Sequence, residues 1–191
     1  HLTSSLCNDM VVDQLGRAYV GNFGFDLHSG EPPTPTNLIL IDEEGNPREV
    51  ANGLRFPNGM VITPDQKTLV VAESFGAELT AFSIEANGSL SNQRLWAKVP
   101  GSSPDGICLD SDGGIWVASP ATGTCFRVQE GGQITDEFRP IDPPYACMLG
   151  GSKGRTLYIL TAPSGVPSVC AENPRASIVS VDVSFPGAGL P

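Results

Sequence analysis

A short pattern of strand, tight turn and strand recurs four times along this chain, and that recurrence constrains the fold more than any other feature. The copies begin at Asn8 (NDMVVDQLGRAYVG), Asn58 (NGMVITPDQKTLVVAE), Asp105 (DGICLDSDGGIWVAS) and Cys147 (CMLGGSKGRTLYILT), so successive starts lie 50, 47 and 42 residues apart. In each copy an apolar run meets an Asp-, Gly- or Lys-containing turn and is followed by residues rich in β-branched and aromatic types, which is the signature of a hairpin. A period of 40 to 50 residues built from such hairpins predicts the blades of a β-propeller, an all-β fold.

The strands are expected near residues 9–12, 18–21, 37–42 and 48–51 in the first unit, and near 59–62, 68–72, 78–84 and 94–98 in the second. The third unit places them near 106–109, 115–118, 125–129 and 134–138. The fourth places only three, near 146–149, 156–161 and 177–183. No segment carries an apolar period of 3.6 long enough to predict a helix. In an up-and-down blade the loop before strand one and the loop after strand two share a face. That face receives Asn8, Asn58 and Asp105 together with the two long loops, residues 22–36 and 163–176, an arrangement suited to a lid over a pocket.

Asn58 and Asp105 stand at equivalent places in adjacent units, and an oxygen pair of that kind suits a hard divalent cation. Equally, Asn and Asp at a strand start can serve only to bond nearby backbone. Asn8-Asp9 has the same two readings, with the pleat expected to turn just one of them toward the axis. His1 and His28 offer little support for a Ser-His-Asp triad. Trp96 and Trp116 are expected to pack between blades, and Cys147, which takes the Asn/Asp place in the fourth unit, is expected to be buried beside Met148 and Leu149.

Charge narrows the partners. A formal net charge of −10, from 21 Asp and Glu against 11 Lys and Arg, leaves no basic cluster to neutralise phosphates, so no nucleic-acid partner is expected. No apolar run approaches the length of a membrane span, so no membrane partner is expected. The five cysteines, Cys7, Cys108, Cys125, Cys147 and Cys170, show no C-x-x-C pair. They are expected to be small buried hydrophobes in a reducing, cytoplasmic setting.

Asn8-Asp9 with Asp13 and Gly16, Phe56-Pro57-Asn58-Gly59, Pro104-Asp105-Gly106-Ile107-Cys108-Leu109-Asp110, Gly114-Ile115-Trp116-Val117-Ala118, and Cys147-Met148-Leu149-Gly150-Gly151 before Thr156-Leu157-Tyr158 together resemble the SMP-30/gluconolactonase/luciferin-regenerating-enzyme-like family of six-bladed propellers. The resemblance implies that this chain is the C-terminal two-thirds of such a propeller, with about four blades over residues 1–191, and that this piece alone is inactive. It implies that Asn58 and Asp105 are two of three protein ligands for a divalent metal, Ca²⁺ first and Zn²⁺, Mg²⁺ or Mn²⁺ as alternatives. The third ligand is a glutamate from the preceding blades. It further implies that Asn8 contacts substrate, that Asp105 is the general base, and that the substrate is a small-molecule lactone or ester. Members acting on sugar lactones often carry an arginine two residues before the asparagine matched by Asn8, where this chain has Leu6, so the expected activity is hydrolysis of a lactone or ester rather than of gluconolactone in particular. The competing expectation is a non-catalytic propeller that serves as a binding scaffold, and a closed four-bladed ring is the competing architecture.

Overall fold

A computed structural model describes residues 2–3 and 5–188. Four antiparallel sheets follow one another along the chain. The first holds β1 (Cys7–Val12), β2 (Ala18–Asn22), β3 (Thr36–Ile41) and β4 (Pro47–Leu54). The second holds β5 (Pro57–Ile62), β6 (Thr68–Glu73), β7 (Glu78–Ile84) and β8 (Leu90–Lys98), and the third β9 (Ile107–Leu109), β10 (Ile115–Ser119), β11 (Thr124–Val128) and β12 (Ile134–Phe138). The fourth has three strands, β13 (Pro144–Gly150), β14 (Thr156–Thr161) and β15 (Ser177–Asp182). These are four blades in a propeller arrangement, and their first strands, β1, β5, β9 and β13, line the axis. The expectation of no helix is corrected by one short helix, α1 (Pro167–Glu172), inside the last long loop. Six residues started by a proline are too few to show a period in sequence.

The hairpin turns explain the repeat. The Asp13 carboxylate accepts the N–H groups of Leu15 and Arg17, Asp42 those of Glu44 and Asn46, and Asp110 those of Asp112 and Gly114. Each turn closes through a residue with positive φ: Gly16, Gly45 and Gly113, with Gln66 at φ 60° in the second blade. Glycine populates that region without steric cost, whereas Gln66 does not. Two of these aspartates also hold buried arginines, Arg17 on Asp13 at 2.7 Å and Arg127 on Asp110 at 2.6 Å.

Period-two alternation then builds three cores, one for each junction between blades. Val11, Tyr19, Leu38 and Leu40 meet Met60, Ile62, Leu69 and Val71. From the other face of the second sheet, Val61, Val70, Ala81 and Trp96 meet Ile107, Ile115, Val117 and Phe126. Cys108, Trp116 and Cys125 meet Cys147, Leu157 and Ile159. Both tryptophans therefore pack between blades, as expected. Each fully buried aliphatic side chain contributes about 1.5–3 kcal/mol to these junctions. The expectation for the cysteines holds for three of five: Cys7 is exposed and Cys170 half-buried, because they lie at a strand start and in a loop rather than on a junction face. Among the described residues no helix is long and apolar enough to cross a membrane.

Candidate active site

At the axial end where β1 and β5 begin, the ladder slips by one residue. Cys7 pairs with Asn22 and Met10 with Val20, so two residues, Asn8 and Asp9, face one. Pro57 pairs with Glu73 and Met60 with Val71, leaving Asn58 and Gly59 opposite one residue. Asp105 and Gly106 share Ala118 in the same way, through the Asp105 N–H on the Ala118 carbonyl and the Ala118 N–H on the Gly106 carbonyl. Tyr145 is the extra residue in β13, between Pro144 paired with Thr161 and Ala146 paired with Leu160. A bulge re-aims the side chain it carries. Repeated four times, it turns Asn8, Asn58, Asp105 and Tyr145 to equivalent places around one end of the axis. The same bulge sets Asn8 and Asp9 together opposite one residue: Asn8 lines the axial cavity, while Asp9 is exposed and near enough for its charge to act on Asp105.

Glycines let the first strands close on one another. A Cβ on Gly59 would lie 2.5 Å from the Asp105 carbonyl oxygen, and one on Gly106 would lie 2.8 Å from the Ala146 Cα. In their absence the Gly59 N–H donates to the Asp105 carbonyl at 3.2 Å and the Gly106 N–H to the Tyr145 carbonyl at 2.9 Å. Blade one joins the series through its side chain, with Asn8 Nδ2 donating to the Pro57 carbonyl at 3.2 Å. The parallel bonds also correct the place expected for Cys147. Tyr145, two residues earlier, is the fourth-blade equivalent of Asp105, and Cys147 is buried in the junction core near Cys108, with 3.8 Å between their sulfurs.

Asn58 is buried and Asp105 half-buried. The Ser74 hydroxyl donates to the Pro104 carbonyl at 2.6 Å, so its oxygen is left to accept from Asn58 Nδ2 at 3.1 Å. That relay fixes which end of the Asn58 amide faces Ser74. Burial pushes the Asp105 carboxyl up to about 7, the nearby Asp9 charge adds to the rise, and hydrogen bonds from the Asn58 side chain and the Gly106 backbone hold it down. The Asp9 carboxyl is raised by burial as well. Tyr145 is raised chiefly by burial and then by the Asp105 charge.

These side chains floor a cavity of about 490 Å³, a size that suits a small organic molecule. Asn8, Asn58, Ser74, Ser103, Asp105 and Tyr145 supply its polar lining. Phe23, Leu27 and His28 come from the loop after β2, and Gly165 and Pro167 from the loop holding α1. Both long loops thus reach the end that strand parity assigns them. Among the described residues no lysine or arginine lines the cavity. An acidic floor with amide and hydroxyl oxygens fits a hard cation in its donor chemistry. Among the described residues no three His, Cys, Asp or Glu side chains gather into a metal cluster, so the oxygen donors to consider are Asn58 and Asp105. Sequence reasoning missed Tyr145, because the repeat was aligned two residues too late in the fourth unit. It also passed over His28, whose only signal was its place in a long loop.

The description "SMP-30/Gluconolactonase/LRE-like region" matches residues 2–163. The chain belongs to that family. A pentonolactonase of Haloferax volcanii is 27% identical over 159 residues, which cover 81% of this chain and 53% of the relative. A regucalcin of Xenopus laevis is 32% identical over 165 residues, covering 83% of this chain and 55% of the relative. A solved luciferin-regenerating enzyme superposes with a TM-score of 0.80 at 22% identity, over 96% of this chain and 64% of that one. The chain therefore spans roughly half to two thirds of the length of the proteins it matches.

Proposed function

We propose that the whole protein is a hydrolase of lactones or esters, working at the floor formed by Asn58 and Asp105. The observation that carries this reading is a carboxylate pushed up to about 7 on the floor of a cavity that, among the described residues, is free of lysine and arginine. A carboxylate that burial leaves short of compensating charge is one that a bound cation would stabilise in its ionised, proton-accepting form. Likeness to a pentonolactonase supports the same class.

In this reading Asn58 and Asp105 hold a divalent cation, Ca²⁺ by the hardness of the oxygen donors. Such an ion, when bound, supplies the positive charge that polarises a carbonyl and acidifies water. Asp105 accepts the proton of the attacking water at its carboxylate. Asn58, oriented through Ser74, keeps its amide in register with that carboxylate, and Asn8 at the neighbouring axial place contacts substrate. The loops carrying His28 and Pro167 close over the bound molecule and exclude bulk water. The same reading places further blades, and a third ligand, against the open flanks of the first and fourth sheets in the whole protein.

The test is a pair of substitutions in the full-length protein. Asp105→Ala is expected to lower kcat/KM on a simple lactone by about 10³-fold or more, and Asn58→Ala by about 10–100-fold, because only Asp105 both holds charge and moves a proton. The reverse order would leave Asp105 as a ligand and put the base elsewhere. Unchanged activity in both variants would end the reading.

A further inference from the structure

Three phenylalanines stand directly beside the polar floor, each next in sequence to one of its strand ends. Phe23 follows Asn22 at the end of β2, Phe56 precedes Pro57-Asn58, and Phe75 follows Ser74. Their rings form one cluster: Phe23 stacks on Phe56 at 4.6 Å between centroids, Phe56 lies 5.1 Å from Phe75, and Phe25 meets Phe56 at 5.8 Å and Phe75 at 5.5 Å. Phe23, Phe56 and Phe75 line the same cavity as Asn58 and Asp105. Behind them a second hollow of about 250 Å³ is lined by Phe25, Pro33, Pro35, Phe56 and Phe75 among others.

Two features mark this wall as more than core. Phe56 holds φ at 61°, a conformation that bulky residues rarely adopt, and it does so immediately before a proline. The ring contacts and the Ser74 N–H on the Phe56 carbonyl at 3.1 Å hold it there. Phe75, in turn, lines the cavity and is 47% exposed while touching two other rings. An aromatic ring left half-open beside a carboxylate is a surface for an apolar group.

Part of the polar lining is committed within the protein: Asn8 Nδ2 is turned to the Pro57 carbonyl, Asn58 Nδ2 to Ser74, and the Ser74 hydroxyl to the Pro104 carbonyl. Among the described residues no lysine or arginine lining the cavity is there to grip a sugar acid or a phosphate.

Resting on the hydrolase reading above, we propose that this site selects lactones or esters bearing a flat aryl substituent, which lies against Phe23, Phe56 and Phe75 while the ester carbonyl meets the Asn58–Asp105 floor. Water adds to the carbonyl carbon, the ring or ester C–O bond breaks, and the products are the hydroxy acid, or acid and alcohol, with the displaced oxygen keeping a proton from water.

The experiment compares γ-phenyl-γ-butyrolactone with glucono-δ-lactone as substrates of the full-length protein, and measures calorimetric binding of the hydrolysis-resistant γ-phenyl-γ-butyrolactam. The phenyl lactone is expected to have the higher kcat/KM by at least about 10-fold, the size of one apolar contact. Phe75→Ala is expected to remove that advantage and to weaken lactam binding by at least about 10-fold, costing the phenyl lactone at least about 10-fold more in kcat/KM than glucono-δ-lactone, with Phe75→Leu recovering part of the lost binding and selectivity. Phe75 is open enough for the variant to fold. Preference for glucono-δ-lactone, or equal losses on both lactones in Phe75→Ala, would overturn the proposal. Lactam binding that depends on Phe75 without turnover of either lactone would sustain the aromatic subsite and sink the hydrolase reading. Turnover of glucono-δ-lactone without lactam binding would do the opposite.

Discussion

Asp105 and Ser74 carry the most consequence for single side chains. Asp105 titrates near 7 in the folded, metal-free protein against 3.8 for an ordinary aspartate. A folded-state value above the unfolded one means that the native state holds the proton more tightly, so this carboxylate destabilises the fold increasingly as pH rises from about 4 to 7 and fully above that. Asp105→Asn should therefore raise stability at pH 8, by on the order of 2–4 kcal/mol, with the gain shrinking toward zero near pH 4. Urea denaturation at both pH values checks this, and a variant less stable than the parent at pH 8 would refute the burial argument. Ser74→Ala tests the relay to Asn58. Losing one partly buried hydrogen bond should cost about 1 kcal/mol of stability. Ca²⁺ affinity measured by calorimetry should fall several-fold as the Asn58 amide loses its fixed orientation. Affinity that stays constant would show that Asn58 is held by other means.

Among the elements, the bulged start of each first strand does what hairpin grammar alone does not reveal. Gly59→Ala should destabilise by about 1–3 kcal/mol, because its Cβ would meet the Asp105 carbonyl oxygen, which belongs to a backbone fixed on both sides. It should also weaken Ca²⁺ binding by parting blades two and three at the site, and a neutral effect on both would contradict the close approach. The strands themselves were legible, since turn aspartates, positive-φ glycines and alternating apolar residues are local signals. Bulges are not local. They follow from how a strand meets its neighbours, so the pairing of Asn8 and Asp9 opposite one residue, and the place of Tyr145, stayed hidden. The phenylalanine wall was hidden for a related reason: Phe23, Phe56 and Phe75 are spread over two blades and meet only when those blades pack. Asn58 and Asp105, by contrast, were legible because the repeat itself puts them at equivalent places.

For the whole molecule, the last blade differs from the two middle ones along its second strand, and the first blade differs from them at β1, its β2 being buried. In β6 and β10 nearly every residue is buried, since both sheet faces are covered. In β14 burial alternates, with Leu157 and Ile159 buried while Tyr158 and Leu160 are exposed. Met10 in β1 is 59% exposed and Ile178 in β15 is 67% exposed. Such flanks are apolar surfaces that a propeller normally covers with the next blade. The 191-residue polypeptide by itself should then associate in solution, and a monodisperse, cooperatively melting monomer by light scattering and calorimetry would contradict that. The central claim, a divalent cation at Asn58 and Asp105 in a lactone or ester hydrolase, is tested most directly by the hydrolysis rate of the full-length protein against free Ca²⁺ after exhaustive chelation. The account predicts a rate that falls to background on chelation, returns with added Ca²⁺ along a saturating curve, and does not return in Asp105→Ala. Hydrolysis that persists unchanged through chelation and through Asp105→Ala would contradict it.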